Sequence, residues 1–173
     1  MVRECLRVVA LAACVPGCSL ILDFSDSAGV HDAAIDSPYT PAECAYKEPN
    51  DTPDTAAVVT VDDSGPAAIC APTSDAGGRD FDYYKFTVAP GTTKVTITLT
   101  NGPMAGDLDL VLYDATGATT LGQSRNFSLT ETLVCPGAVP ACPSLAAGDY
   151  IFEVLSGPPT DLDNYTFSLA FVP

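Results

Sequence analysis

The sequence has no tryptophan, a single histidine and few basic residues: 7 lysines and arginines stand against 22 acidic residues, for a formal net charge of −15. A chain this negative argues against binding nucleic acid through its phosphates. Catalysis by an activated Ser or Cys normally requires a histidine base, and the one histidine, His31, lies in a predicted linker. Phosphate-binding glycine loops and cofactor motifs are also absent. We therefore expect neither an enzyme nor a nucleic-acid-binding protein.

Residues 1–17 have the layout of a secretory signal peptide. Arg3 and Arg7 supply a basic start, residues 8–15 form an apolar run, and small residues with cysteines follow. The apolar run is too short to span a bilayer as a permanent helix. We therefore expect a leader over 1–17 and an exported chain after it.

The seven cysteines are an odd number, at positions Cys5, Cys14, Cys18, Cys44, Cys70, Cys135 and Cys142. The residues before Cys14 resemble a bacterial lipobox better than those before Cys18, where a proline intervenes. However, acylation at Cys18 removes two cysteines with the leader and leaves four, which can form two disulfides. We therefore predict lipidation at Cys18, with Cys14 and a plain cleaved signal as alternatives.

Two regions follow the leader. Residues 18–43 are rich in Ser, Asp, Ala, Gly and Pro and predict a flexible acidic linker. Residues 44–173 predict one domain, in which short β-branched runs alternate with turn residues. In residues 94–100, apolar and threonine side chains alternate cleanly, as in a half-buried strand.

The domain is predicted to be all-β, since no useful stretch of helical period interrupts the strands. About eight strands are expected, at 56–61, 68–70, 83–88, 94–100, 108–113, 128–134, 149–155 and 164–171. This number of short strands favours an antiparallel β-sandwich or jelly roll.

The four cysteines of the domain allow three pairings. Proximity favours Cys135–Cys142, around a short loop, and Cys44–Cys70, which would tie the start of the domain to an early strand. A zinc site is the weaker interpretation, because no C-x-x-C spacing is present.

Two acidic motifs lie next to predicted strands: Glu-Pro-Asn-Asp-Thr at 48–52 and Asp-Phe-Asp-Tyr-Tyr-Lys-Phe at 80–86. Both bring together the oxygen ligands that hard cations prefer. They predict a cation site at the edge of the β-domain. A second acidic pair, Asp107 and Asp109, is predicted instead to form the turn before a strand.

Four motifs in order resemble the bacterial pre-peptidase C-terminal domain. They are 48–52, 80–86, 106–114 with Gly117, and 148–154 with 165–167. The resemblance covers residues 46–171 and implies a jelly-roll-like sandwich without catalytic residues. In some members of that family the first two motifs bind calcium, and the implied calcium ligands here are Glu48, Asn50, Asp51, Asp80 and Asp82.

The expected function is that of a non-catalytic, lipid-anchored module of the cell envelope, at the outer membrane or cell surface. The domain follows its leader and linker directly, so we expect it to stand alone. Its expected partners are the membrane, through the lipid, and an extracellular or periplasmic polymer or protein, which some of the seven tyrosines could contact. Two alternatives stay open: a structural spacer, and a glycoside hydrolase that uses paired carboxylates.

Overall fold

A computed structural model describes residues 42–70, 80–102, 106–156 and 163–173. The predicted leader and nearly all of the predicted linker, with Cys14 and Cys18, lie outside the described residues. The described elements are a 3₁₀ helix η1 (Pro53–Thr55) and the strands β1 (Ala57–Val58), β2 (Ala67–Ile69), β3 (Asp82–Val88), β4 (Lys94–Asn101), β5 (Leu108–Tyr113), β6 (Thr120–Ser124), β7 (Thr130–Cys135), β8 (Gly137–Ala138), β9 (Ala141–Cys142), β10 (Gly148–Ser156) and β11 (Asp163–Val172). None of the helical structure in these ranges is long and apolar enough to cross a membrane.

The strands form a β-sandwich, as predicted. One sheet has the order β1-β3-β10-β5-β6 and the other the order β2-β11-β4-β7, while β8 and β9 form a small separate hairpin. Every pairing is antiparallel except that of β1 with β3, which is parallel. A single large apolar cluster takes side chains from both main sheets. Burial of this shared core is what holds the two sheets face to face.

Strand β4 follows the alternation that its sequence predicts. Val95, Ile97 and Leu99 point into the core and are at most 1 % exposed. The central strands of the other sheet behave differently, since β5 and β10 are buried on both faces over most of their length. Leu110 and Val111 are adjacent in sequence, so their side chains point to opposite faces, and both are at most 1 % exposed.

Strand β6 is the main element that the sequence did not predict. It pairs with β5 at the sheet edge and has no alternation of apolar residues. Its Gly122 allows a close approach, because a Cβ there would lie 3.1 Å from both the Ala141 carbonyl oxygen and the Leu133 side chain. The short β8 and β9 were also missed. In addition, the strand predicted over 56–61 contracts to β1, and that predicted from 128 begins at Thr130.

Both predicted disulfides are present. Cys44–Cys70 joins the first described turn to the end of β2, and Cys135–Cys142 joins the end of β7 to β9. Disulfides form and persist in oxidising compartments. The pairs therefore indicate an extracytoplasmic protein.

Candidate metal centre

The acids of the first two motifs meet at the start of β3. Two come from the segment before η1 and two from the residues that open β3: Glu48, Asp51, Asp80 and Asp82. A backbone hydrogen bond joins these two segments, from the N–H of Tyr83 to the carbonyl oxygen of Asn50 (2.9 Å). Tertiary pairing thus makes neighbours of two motifs that are well separated in sequence.

Three of the carboxylates converge on one point. Glu48, Asp51 and Asp80 each offer an oxygen that lies within 4.8 Å of the other two. The N–H of Cys70 donates to Asp80 Oδ2 (2.5 Å), which fixes the orientation of that carboxylate. Cys70 is itself bonded to Cys44, so the disulfide holds both sides of the cluster.

Asn50 lies fully buried behind the acids and orients them. Its backbone N–H donates to Glu48 Oε2 (2.8 Å). With the amide turned so that its nitrogen faces the acids, this nitrogen donates to both Glu48 oxygens (2.8 and 2.9 Å) and to Asp82 Oδ1 (3.2 Å). In this orientation Asn50 is a donor to the cluster and not an oxygen ligand. A half-turn of the amide would present its oxygen at the same place.

Asp82 connects the acidic cluster to the core. It is 1 % exposed and accepts a short hydrogen bond from the hydroxyl of Tyr165. That hydroxyl also pairs with the hydroxyl of Tyr84 (2.7 Å). The Tyr84 ring packs against Phe152 and Phe167, with centroids 5.0 and 4.9 Å away. A chain of polar groups therefore runs from the cluster to the aromatic centre of the sandwich.

The surroundings raise the pKa of three of these acids, Glu48, Asp80 and Asp82. Burial is the largest cause that raises the pKa of Asp80, to about 6, and the charges of Glu48 and Asp51 add to it. Burial, followed by the charge of Asp80, raises the pKa of Asp82 well above its ordinary value. Burial also raises the pKa of Glu48. Crowded carboxylates of this kind need a shared proton or a cation to be stable.

The ion pairs of the described residues do not neutralise this cluster. Lys47, next to Glu48 in sequence, turns away to Asp63 (2.8 Å), and Arg125 lies 3.7 Å from Asp109. Arg79 is outside the described residues. Within the described part of the chain, neither of these ion pairs balances the charge of the cluster.

The second acidic pair does not form a turn, contrary to prediction. Asp107 precedes β5, but Asp109 lies within the strand and is only 6 % exposed. Its outward side chain faces Arg125. Burial raises the pKa of Asp109 to about 6 although Arg125 opposes the shift. This pair lies at the start of β5, and neither residue belongs to the first cluster.

Sequence reasoning missed a polar group on the outer face of the five-stranded sheet. Glu153 of β10 is 4 % exposed and accepts hydrogen bonds from the hydroxyls of Tyr83 (2.8 Å) and Tyr113 (2.6 Å) on the neighbouring strands. The two tyrosine rings are 6.4 Å apart and remain partly exposed. All three side chains point to the outer face of the sheet. The sequence does not show that they meet there, because that depends on the order of the strands.

These observations define a class of protein: an extracytoplasmic β-sandwich module with a carboxylate cluster at one sheet edge. Residues 80–156 match the model of the family described as the bacterial pre-peptidase C-terminal domain. The match begins at Asp80 and contains the second and third motifs and residues 148–154 of the fourth. It does not include residues 48–52 or 165–167.

The fold is also similar to solved structures. The pre-peptidase C-terminal domain of a collagenase from Bacillus anthracis matches with a TM-score of 0.50 and 13% identity, over 66% of this chain and 94% of that one. At this identity the likeness supports the fold alone.

Two other solved structures are more distant. A periplasmic inhibitor of g-type lysozyme from Aeromonas hydrophila matches with a TM-score of 0.33 and 13% identity, over 53% of this chain and 77% of that one. A carbohydrate-binding module of a Cellvibrio mixtus lichenase also has a TM-score of 0.33 and 13% identity, over 65% and 89% of the two chains. Neither likeness is close enough to inform function. No curated protein matches the sequence.

Proposed function

We propose that this protein is a non-catalytic, lipid-anchored module of the cell envelope that binds calcium and serves as a binding or accessory domain. The observation that carries the calcium assignment is the convergence of Glu48, Asp51 and Asp80 within 4.8 Å. The match of residues 80–156 to a family of accessory domains supports the non-catalytic role.

Calcium fits the donor set better than other common metals. It binds roughly six to eight oxygens in flexible geometry, whereas zinc prefers nitrogen and sulfur ligands. The described site offers the carboxylates of Glu48, Asp51 and Asp80, with Asp82 behind them. The Asn50 oxygen, after rotation of its amide, together with backbone carbonyls and waters would complete the coordination.

The position of the site indicates what calcium would do. Glu48 and Asp51 belong to the segment that leads from the predicted linker into the domain, whereas Asp80 leads into β3. A cation held by both segments would fix the point at which the chain enters the sandwich. Calcium would thereby stabilise the start of the domain against local opening.

Calorimetric titration of the full mature chain with calcium chloride tests the assignment. Wild-type protein should release or absorb heat with a saturable isotherm, and Asp80→Ala should remove the binding event of this cluster because it deletes a central ligand. Asp62→Ala is the matched control, since it deletes an exposed acid of the turn after β1. Flat heats for the wild type, or equal binding by Asp80→Ala, would contradict the calcium proposal.

The outer face of the five-stranded sheet supports a binding role over that of a simple spacer. The partly exposed rings of Tyr83 and Tyr113 flank Glu153, which fixes both hydroxyls. Rigid aromatic side chains of this kind contact partners with little loss of conformational entropy. We propose an extracellular or periplasmic polymer or protein as the partner of this face.

Lipid anchoring is proposed at Cys18. Cleavage before this residue would leave Cys18 and four further cysteines, and the two disulfides of the domain use all four. Acylation there leaves no free thiol in an oxidising compartment. A module held to the membrane by lipid and linker would reach partners at the cell surface.

Mass spectrometry of the membrane-extracted protein checks the anchor. The mature chain should begin with a diacylated or triacylated Cys18. Cys18→Ser should release the protein from the membrane fraction, whereas Cys14→Ser should leave it there. Recovery of an intact peptide that spans both cysteines from the mature protein would refute anchoring at Cys18.

A further inference from the structure

Four buried oxygens near the junction of β4 and β11 have no hydrogen-bond donor. They are Asn101 Oδ1, both carboxylate oxygens of Asp163, and Asn164 Oδ1. Among the residues that the structure describes, every other buried side-chain oxygen or nitrogen has a partner. Since Asp163 is 0 % exposed, solvent does not reach its carboxylate. Burial of an unpaired carboxylate is strongly unfavourable, so this concentration of unpaired acceptors calls for a ligand.

Two of these oxygens approach the same point of the backbone. A Cβ on Gly102 would lie 1.7 Å from Asn164 Oδ1 and 2.7 Å from Asp163 Oδ1. The N–H of Gly102 donates to the carbonyl oxygen of Asn164 (2.7 Å), which holds the end of β4 against β11 at this place. Because glycine has no side chain, position 102 leaves room for these two oxygens. Any larger residue would collide with them.

The third side chain cannot turn to supply a donor. The amide nitrogen of Asn101 donates to the carbonyl oxygens of Leu108 (3.5 Å) and Ser128 (3.4 Å). These two bonds fix the orientation of the amide, so that Oδ1 remains the unpaired atom. Asn101 pairs with Tyr165, two residues beyond Asp163 on β11, and so lies at the same end of the strand pair.

A proton on Asp163 does not resolve the arrangement. Burial does raise the pKa of this carboxyl. The nearby backbone N–H of Asn164 opposes that shift, but it is not placed to form a hydrogen bond with either oxygen. However, one proton supplies one donor, and four acceptors require more. A cation can contact several oxygens at once and would also balance the buried charge.

We propose that Asp163, Asn164 and Asn101 form a second cation site, made of residues different from those of the Glu48–Asp80 cluster. Its ligand is a hard cation, since one carboxylate and two amide oxygens are the donors that calcium and sodium prefer. Only one of the three residues is charged, so this site differs in chemistry from the acidic Glu48–Asp80 cluster. The proposal does not depend on calcium binding at the first cluster.

Metal titrations of the full mature chain test this site. Calcium stoichiometry is measured by calorimetry for wild type, Asp80→Asn, Asp163→Asn and the double variant. A calcium site predicts that Asp80→Asn retains a binding event that the double variant loses. A sodium site predicts instead that sodium chloride raises the melting temperature over tetramethylammonium chloride at equal ionic strength, and that Asp163→Asn removes the difference. The proposal is overturned if Asp163→Asn changes neither calcium stoichiometry nor the sodium response.

A gain-of-function variant keeps the test decisive if Asp163→Asn does not fold. Asn164→Asp adds a second carboxylate to the site and should raise its affinity for calcium by about tenfold or more, because affinity rises with ligand charge. Asp149→Asn, which changes an exposed acid of β10, serves as the folded control. Unchanged calcium affinity in Asn164→Asp, measured in the Asp80→Asn background, would overturn a calcium site. An unchanged sodium response in the same variant would overturn a sodium site.

Discussion

Chelation of calcium is expected to destabilise this protein strongly at pH 7 and much less at pH 5. Without a cation, burial and neighbouring acids raise the pKa of Asp80 from 3.8 to about 6. A carboxyl whose pKa is higher in the folded than in the unfolded state stabilises the fold at low pH, and that stability is lost as the pH rises from about 4 through about 6. For a shift of this size the loss is about 3 kcal/mol. The pKa values of Glu48 and Asp82 are raised as well.

Calcium should reverse this trend at neutral pH. It binds the ionised carboxylates, so its contribution grows as the protons leave. At about 100 times its dissociation constant it would add about 2.7 kcal/mol to the free energy of unfolding. In EDTA, the melting temperature should therefore decrease as the pH rises from 5 to 7. In calcium, it should stay nearly constant over the same range.

Two variants separate the contributions to the pH dependence. Asp80→Asn should flatten the curve in EDTA and abolish the stabilisation that calcium gives through the Glu48–Asp80 cluster. Asp109→Asn should also flatten it, since burial raises the pKa of Asp109 to about 6, but this variant should keep the calcium effect. Superimposable melting curves with EDTA and with calcium at pH 7 would be incompatible with the proposed metal centre.

Loss of the Cys44–Cys70 disulfide is expected to be the most damaging covalent change. The bond closes a loop with a sequence separation of 26. The chain-entropy model gives about 3.5 kcal/mol for such a loop. The Cys70 N–H also orients Asp80, and Cys44 precedes Glu48 closely. The double variant Cys44→Ser/Cys70→Ser should therefore lose calcium affinity by about tenfold as well as stability.

The other disulfide provides the control. Cys135–Cys142 has a sequence separation of 7, and its removal should cost about 2 kcal/mol in the same model. None of its residues contacts the acidic cluster in the described structure, so calcium affinity should be unchanged. Urea unfolding and calcium calorimetry on both double variants measure the two effects. Equal losses of calcium affinity in the two variants would show that the disulfide at the cluster does not position the ligands.

The sequence predicted most of the fold because its signals are local. Alternation of Val95, Ile97 and Leu99 with threonines identifies β4, and turn residues mark the ends of most other strands. Edge strand β6 has no such pattern, since its buried Gly122 is explained by the close approach of Ala141 and Leu133. Local patterns report burial on one face and cannot show which strands are neighbours.

The candidate sites, like the strands, were predicted only as far as local sequence patterns reach. The sequence by itself determined that oxygen-rich motifs lie next to strand starts, and the order of those motifs indicated the sandwich. Only the tertiary structure decided that Glu48, Asp51 and Asp80 converge, that the Asn50 nitrogen faces them, and that Asp163 lies buried without a donor. The physical reason is that a cation site depends on distances of a few ångströms between atoms from separate strands. Those distances are set by register and packing, and a linear pattern of residues does not contain them.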